Sequence, residues 1–163
     1  MRWRVAILTA SDRGAAGERE DTSAQVIREL MEEEIGAEIV EYRIVPDDQD
    51  EITAALIEIT EYYRPDLILT TGGTGLGPRD VTPEATERVI ERRVPGIPEA
   101  MRAGAMARTR AAMLSRGIAG IRGRTLIINL PGSPKGVQES LMAIMDQLPH
   151  ALEVLTGRQT EHG

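Results

Sequence analysis

Two short apolar runs constrain the fold of this chain more than any other feature. They are WRVAILTA, residues 3–10, and DLILTT, residues 66–71. Each run ends in a polar loop that contains glycine, and a segment with the spacing of a helix follows each loop. A short, continuous apolar run of this kind is typical of a strand that is covered on both faces. The alternation of such strands with helices predicts an α/β fold, a three-layer α/β/α sandwich with a mostly parallel sheet.

The other segments of the chain fit the same alternation. After the first strand, helical spacing runs from Ala24 to Ile35, with Asp21 or Thr22 as N-cap and Gly36 as the stop. In chain order, the further predicted elements are a strand at 37–45, a helix from Ile52 to Tyr63, a helix from a Thr82 N-cap to about Arg93, a helix within 94–109, two strands around an RGR turn at 117–132, a helix within 133–148 and a short closing helix between Pro149 and Gly157. Methionines 101, 106, 113, 142 and 145 are interpreted as core residues. The absence of a repeat or linker predicts a single domain over residues 1–163.

Composition narrows the classes of function. The chain has no cysteine, which excludes disulfides and thiolate metal sites. Of its two histidines, His150 follows a proline and His162 lies in a tail that we expect to fray, so neither is a candidate catalytic residue. A formal net charge of −7 with four aromatic residues argues against a nucleic-acid surface. The apolar start is too short for a signal peptide, and no run is long enough to span a bilayer. We therefore expect a cytoplasmic protein that binds neither nucleic acid nor membrane.

Four polar loops each follow a predicted strand. Their sequences are SDRGAAG, PDDQD, GGTGLGPRD and PGSPKG. The carboxyl ends of parallel strands meet at one edge of a sheet, and ligands of such folds bind there. The sequence therefore predicts that the four loops converge on a ligand site.

The GGTG stretch, Gly72, Gly73, Thr74 and Gly75, leaves the backbone bare enough for its N–H groups to face a phosphate or sugar. It matches neither the Walker motif nor the dinucleotide-binding fingerprint. Its alternative interpretation is a plain tight turn.

Carboxylates stand in two of these loops. Asp48 and Glu51 fit a capping pair at a helix start, which leaves Asp47 without a structural role. Asp80 closes the glycine-rich loop. If the loops converge, Asp47 and Asp80 together suit Mg²⁺, which often binds through one or two carboxylates and the substrate phosphates. The alternative is that each aspartate only hydrogen bonds a helix start.

Cations and helix starts in the same loops are candidates for contacts to anions. Ser133 and Lys135 begin the helix after PGSPKG, where free N–H groups and an ammonium favour a phosphate. Further candidate contacts are Ser11, Asp12, Arg13, Arg79 and Arg116. The alternative interpretation is ordinary capping by Ser133 and solvated charges elsewhere.

The assembled motifs resemble the molybdenum-cofactor biosynthesis domain family, whose members include molybdopterin adenylyltransferases and the G domain of gephyrin. The resemblance covers nearly the whole chain. It rests on AILTASDR, VPDDQDEI, DLILTTGGTGLGPRDVTPEAT, MLSRGIAGIRGRTLIINLPGSPKG and LPHALEVLTG, which match in order and spacing. No second domain for molybdate insertion is visible in the sequence.

The resemblance implies that AMP is transferred from Mg·ATP to the terminal phosphate of molybdopterin, which gives adenylyl-molybdopterin and pyrophosphate. Asp47 and Asp80 are then the residues for Mg²⁺ binding and catalysis, and Gly72–Gly75 line the nucleotide site. The residues implied for pterin and phosphate binding are Ser115, Arg116, Pro131, Gly132, Ser133 and Lys135. The resemblance also implies a homotrimer and a downstream molybdate-insertion enzyme.

Two alternative functions are consistent with the same motifs. One is a metal-dependent nucleotide pyrophosphatase, which would act without pterin. The other is a non-catalytic trimeric pterin-binding module, in which binding would survive mutation of Asp47 and Asp80.

Overall fold

The computed structural model describes residues 2–158, in which strands and helices alternate as the sequence predicts. The strands are β1 Arg4–Ala10, β2 Glu38–Val45, β3 Leu67–Thr71, β4 Arg92–Arg93, β5 Ala119–Arg122 and β6 Thr125–Leu130. The helices are α1 Asp12–Ala15, α2 Thr22–Ile35, α3 Gln49–Tyr63, α4 Thr82–Glu87, α5 Gly96–Met106, α6 Pro134–Ile144 and α7 Leu148–Thr156, with a 3-10 helix at Arg110–Leu114. The single domain over residues 1–163 stays a prediction.

The six strands form one sheet in the order β2-β1-β3-β6-β5-β4. The neighbouring strands β2, β1, β3 and β6 run parallel to one another, whereas β5 is antiparallel to β6 and β4 is antiparallel to β5. The prediction of a mostly parallel sheet is confirmed. The carboxyl ends of β2, β1, β3 and β6 consequently lie at the same edge.

Helices cover both faces of the sheet, because successive side chains of a strand point to opposite faces. Val5 and Ile7 of β1 belong to an apolar cluster with α2, α5, α6 and α7. Ala6 and Leu8 of the same strand belong to a second cluster, with α3 and α4. The three-layer sandwich predicted from the sequence is confirmed.

The helix boundaries predicted from capping residues are confirmed for α2 and α3. The Asp21 carboxylate caps α2 by accepting from the Ala24 N–H at 3.2 Å, and Gly36, with φ of 63°, is the C-cap after Ile35. Asp48 caps α3 by accepting from the Glu51 N–H at 3.0 Å. The Asp48 cap fixes the end of the short loop between β2 and α3.

The predicted extent and cap of α4 are wrong. The helix ends at Glu87 instead of about Arg93, and Thr82 is its first residue and not its cap, which is Val81. The helix ends early because the backbone that follows it hydrogen bonds to the sheet. The Glu91 N–H donates to the Ile121 carbonyl at 2.7 Å, and β4 pairs with β5. Gly120 of β5 lacks a side chain at the point where Ile90 packs.

The prediction that five methionines fill the core is wrong for two of them. Met101 and Met145 are buried, but Met113 is 45% exposed and Met142 is 50% exposed.

None of the helices within residues 2–158 is long and apolar enough to cross a membrane. His150 lies exposed on α7, and His162 lies outside the described residues.

Candidate functional site

The structure brings the four predicted loops together at the carboxyl edge of the sheet. Ala10 at the end of β1 pairs with Val45 of β2, and Thr71 at the end of β3 pairs with Leu130 of β6. The chain therefore leaves four neighbouring strands at nearly the same level. The loops that follow line a common region, as the parallel order of the strands requires.

The glycines of the loop after β3 are required by contacts within the protein. Gly72 and Gly73 have φ of 93° and 69°, in the left-handed region that favours glycine. A Cβ on Gly72 would overlap the Ala10 carbonyl oxygen, and a Cβ on Gly73 would overlap Thr82 Oγ1. The bare backbone is consequently a condition of the fold, whatever ligand approaches it.

Asp80 lies folded back over the same loop. Its Oδ2 accepts a hydrogen bond from the Gly77 N–H at 2.9 Å. A Cβ on Gly75 would stand 2.9 Å from this oxygen, and a Cβ on Gly77 would stand 3.0 Å from it. Asp80 and the two glycines therefore fit one another, and the carboxylate is fixed by its own loop.

Asp47 and Asp12 hold the loops after β2 and β1 together. The Asp12 N–H donates to Asp47 Oδ2 at 3.0 Å, and the Asp47 N–H donates to Asp12 Oδ1 at 2.9 Å. Burial raises the pKa of Asp47, and the negative charges of Asp12 and Asp80 raise it further. A half-buried carboxylate beside two others has an environment that suits cation binding.

Arg79 joins this pair from the glycine-rich loop. Its Nε and one terminal nitrogen donate to the two oxygens of Asp12 at 2.6 and 2.9 Å, a bidentate geometry. The hydrogen bonds from Arg79 lower the pKa of Asp12. Three of the four loops are thereby bonded through one side chain.

Arg116, predicted from the resemblance to bind pterin or phosphate, supports the glycine-rich loop from behind. Its guanidinium donates to the carbonyls of Gly75 and Asp80 at 2.8 and 2.7 Å and forms an ion pair with Glu84 at 2.7 Å. Every nitrogen of the guanidinium is engaged in these bonds. Arg116 therefore supports the loop, and its predicted contact with pterin or phosphate stays a prediction.

Two clefts open beside the glycine-rich loop. The first, which we call the strand-end cleft, has a volume of about 580 Å³ and includes Thr9, Ser11, Asp47, Gly72 and Pro134 in its lining. The second, the Ser115 cleft, has a volume of about 360 Å³ and lies between the loop, α5, α6 and the 3-10 helix. Four residues line both clefts, namely Gly73, Asp80, Gly132 and Ser133.

The remaining predicted residues take the following places. Ser115, Pro131, Thr74 and Gly75 line the Ser115 cleft. Ser133 caps α6 by accepting from the Gly136 N–H at 3.0 Å, and Lys135 is exposed in the first turn of that helix. Ser11 lines the strand-end cleft and caps α1 by accepting from the Gly14 N–H at 3.0 Å, while Arg13 is exposed.

Sequence reasoning missed part of the strand-end cleft. Arg19, Glu20, Thr22 and Ser23 line it at the start of α2, and Ser23 Oγ donates to the Gly132 carbonyl at 2.7 Å. The sequence could have indicated these residues, because the N-terminus of a helix that follows a parallel strand lies at the carboxyl edge of the sheet. Of these four residues, only Thr22 was singled out in the sequence, as a possible helix cap.

Carboxylates dominate the lining of the strand-end cleft. It contains Glu20, Asp21, Asp47 and Asp80 against a single arginine, Arg19. Within residues 2–158, no cluster of three or more acidic or histidine side chains is arranged to hold a metal ion by itself. An ion bound here would share its coordination with a ligand.

A further cleft, of about 720 Å³, lies at the opposite edge of the sheet. Its lining includes arginines that already form ion pairs, Arg122 with Glu61 at 2.9 Å and Arg158 with Asp66. It contains neither the glycine-rich loop nor the two aspartates. The candidate functional site is therefore the carboxyl edge of the sheet.

Comparisons with known proteins show which proteins the chain resembles. The family model described as a probable molybdopterin binding domain matches residues 6–150. A molybdopterin adenylyltransferase of Helicobacter pylori is 42% identical over 94% of this chain and 88% of its own length. The crystal structure of the molybdopterin biosynthesis enzyme MoaB from Thermus thermophilus is 52% identical, covers 96% of this chain and 98% of that one, and superposes with a TM-score of 0.91. The tungsten cofactor synthesizing protein MoaB from Pyrococcus furiosus is 36% identical over 94% of this chain and 97% of that one, with a TM-score of 0.83.

Proposed function

The chain belongs to the family of molybdopterin-binding domains, and from this premise we propose that it transfers the adenylyl group of ATP to the terminal phosphate of molybdopterin. The observation that carries the proposal is the wall shared by the two clefts. Gly73, Asp80, Gly132 and Ser133 face both of them. Two ligands that occupy the clefts would meet at this wall, as a transfer between two phosphates requires.

In this proposal the strand-end cleft binds ATP. Its volume of about 580 Å³ is within the usual range of small-molecule sites. The N-termini of α2 and α6 both reach its lining, and the free N–H groups of a helix start favour phosphate. The backbone of Gly72–Gly75 borders the nucleotide.

The carboxylates of the strand-end cleft would repel a triphosphate, so the proposal includes Mg²⁺. Asp47 and Asp80 come from the loops after β2 and β3, which flank the loop after β1, and each has one oxygen held by a backbone N–H. In the described part of the chain, the other oxygen of each accepts no hydrogen bond. This donor set fits Mg²⁺, which when bound would neutralise phosphate charge.

Molybdopterin would occupy the Ser115 cleft, with its terminal phosphate toward Ser133 and Lys135. In the reaction, an oxygen of that phosphate forms a bond to the α-phosphorus of ATP. The bond from the α-phosphorus to the oxygen bridging to the β-phosphorus breaks, and pyrophosphate leaves with the electron pair. Asp47 and Asp80 would hold Mg²⁺, which when bound would neutralise phosphate charge, and the glycine-rich loop would position the α-phosphate.

We also propose a homotrimer and a downstream partner. Leu114, in the lining of the Ser115 cleft, is 50% exposed, and Met113 beside it is 45% exposed. Apolar side chains exposed together favour burial against another copy of the chain. The adenylylated product would then pass to an enzyme that inserts molybdate.

The test is pyrophosphate release, with mass spectrometry of the pterin product, from protein with molybdopterin, ATP and Mg²⁺. Asp47→Asn and Asp80→Asn keep an oxygen for the backbone hydrogen bonds but remove the charge. Asp50→Asn, an exposed carboxylate paired with Arg88, is the matched control. We expect adenylylated pterin from the wild type and the control, and none from the other two variants.

The other outcomes identify the alternatives. Pterin binding without pyrophosphate release would leave a non-catalytic binding module. Cleavage of a nucleotide at the same rate with and without pterin would favour the pyrophosphatase.

A further inference from the structure

Asp12 and Asp47 hold equivalent places beyond two paired strands. Ala10 and Val45 are the last partners of β1 and β2, and each aspartate follows two residues later. The Ser11 N–H donates to the Val45 carbonyl at 2.9 Å, which continues the pairing by one step. The strand register therefore places the two carboxylates side by side.

The two residues then bond reciprocally, each backbone N–H to the carboxylate of the other, at 3.0 and 2.9 Å. Asp47 is left with Oδ1, which lies 3.3 Å from where a Cβ on Gly73 would stand. The bond from Asp12 thus leaves Oδ1 as the Asp47 oxygen nearer the wall of the clefts.

The other contact of Asp12 is with Arg79, the residue that precedes Asp80. Both oxygens of Asp12 accept from Arg79, at 2.6 and 2.9 Å. A planar guanidinium bonded to both oxygens of a carboxylate fixes orientation as well as distance. Asp12 is therefore bonded to Asp47 on one side and to the neighbour of Asp80 on the other.

We propose that Asp12 is a positioning residue that sets the separation of Asp47 and Asp80 by bonding the Asp47 backbone and the Arg79 side chain at once. The inference rests on the proposed function, because Mg·ATP is the ligand that the two aspartates would hold. It gives Asp12 and Arg79 a role that requires no contact with the nucleotide.

A contribution to folding alone does not account for this arrangement. The side chains of Arg79 and Asp12 are 65% and 41% exposed, and exposed ion pairs add little to stability. Groups that orient metal ligands, by contrast, strongly affect metal affinity. The two roles differ in the effect expected when the pair is broken: a structural role predicts loss of stability, and a positioning role predicts weaker Mg²⁺ affinity.

The experiment is calorimetry of ATP binding to the full chain over a range of Mg²⁺ concentrations. Asp12→Asn and Arg79→Met each break the bidentate pair, and Arg79→Lys keeps the charge without the second bond. Arg88→Met breaks an exposed ion pair with Asp50 on α3 and is the matched control. Thermal unfolding and molybdopterin binding are measured on every variant.

We expect Asp12→Asn and Arg79→Met each to raise the Mg²⁺ concentration for half-maximal ATP binding about tenfold. The double variant should be no worse than either single variant, because both remove the same interaction. Arg79→Lys should recover part of the loss. Molybdopterin binding should stay at the wild-type level, and the melting temperature should change by no more than about 2 °C.

The proposal is overturned if both single variants need the same Mg²⁺ concentration as the wild type for half-maximal ATP binding. It is equally overturned if Arg88→Met raises that concentration as much as they do. It is also overturned if pterin binding falls in parallel, since that result indicates general damage, or if the wild type binds no Mg·ATP. Binding of Mg·ATP without formation of adenylylated pterin would instead contradict the adenylyltransferase proposal and leave the result on Asp12 intact.

Discussion

Asn129 on β6 donates a hydrogen bond from its side-chain amide to the hydroxyl of Thr86 on α4, at 3.0 Å. The same amide nitrogen donates to Thr70 on β3 at 3.0 Å, and the amide oxygen accepts from the Ile118 N–H at 3.1 Å. Asn129 is almost completely buried. One side chain therefore links β3, β6, α4 and the approach to β5 directly beneath the glycine-rich loop.

Asn129→Leu should lower the free energy of unfolding by about 2–4 kcal/mol, because it leaves a buried N–H without an acceptor and two hydroxyls without their donor. Chemical denaturation measures the change. Gln138→Leu, at an exposed position on α6, is the control and should shift stability by no more than about 0.5 kcal/mol. Equal effects of the two substitutions would contradict the role given to Asn129.

Thr82→Val should leave stability unchanged or raise it by up to about 1 kcal/mol. Thr82 is completely buried, and in the described part of the chain its hydroxyl has no hydrogen-bond partner. Valine keeps the shape and removes the unsatisfied group. Chemical denaturation again provides the measurement.

Thr125→Val is the matched comparison for that substitution. The Thr125 hydroxyl is buried and donates to the Pro65 carbonyl at 2.6 Å. Its removal should cost about 1–2 kcal/mol, since the carbonyl loses its partner. A loss of similar size at Thr82 would indicate that its hydroxyl is bonded in solution.

Arg116→Met should loosen the glycine-rich loop more than it lowers global stability. The guanidinium holds the carbonyls of Gly75 and Asp80, and methionine supplies no donor. Hydrogen exchange followed by mass spectrometry should show about tenfold faster exchange in peptides that cover residues 75–81, because local opening becomes easier. Arg93→Met, which breaks only an exposed pair with Glu87, should leave these peptides unchanged.

The ion pair of Glu84 with Arg116 predicts a pH dependence of stability. The hydrogen bond from Arg116 lowers the pKa of Glu84 below its ordinary value of 4.5. The native state therefore favours the ionised form, so this stabilisation is complete above pH 4.5 and disappears as the pH falls through the lowered pKa.

Glu84→Gln measures that contribution. At pH 7 the variant should melt about 1–2 °C below the wild type, a small difference because solvent screens a partly exposed pair. The gap should close as the pH is lowered from 5 to 3. A gap that stays constant through this range would contradict the assignment to Glu84.

The sequence predicted those features that depend on local pattern. Apolar runs located the strands, and capping residues such as Asp21 and Asp48 located two helix starts. Because parallel strands share one edge, the convergence of the loops followed from the strand order alone. The choice of Asp47 and Asp80 as metal ligands remains a prediction, supported by the place of both in the strand-end cleft.

Features that depend on contacts between distant segments could not be predicted. Arg92 and Arg93 continue a polar helical surface in sequence, and only pairing with β5 makes them a strand. The bonds of Asp12 require the register of β1 against β2, which the hydrophobic pattern leaves undetermined. Arg116 lies 36 residues after Asp80, so the sequence alone does not indicate that it supports the loop.

The close approach of Gly72 and Gly132 has a consequence for evolution of the site. A Cβ on Gly132 would stand 3.4 Å from the Gly72 Cα, so main chain packs against main chain in the partition between the two clefts. Side chains farther out in either cleft can change without altering the thickness of that partition. If the two clefts hold the two substrates, as we propose, the fold can exchange one pair of substrates for another of different size while the distance across which they react stays the same.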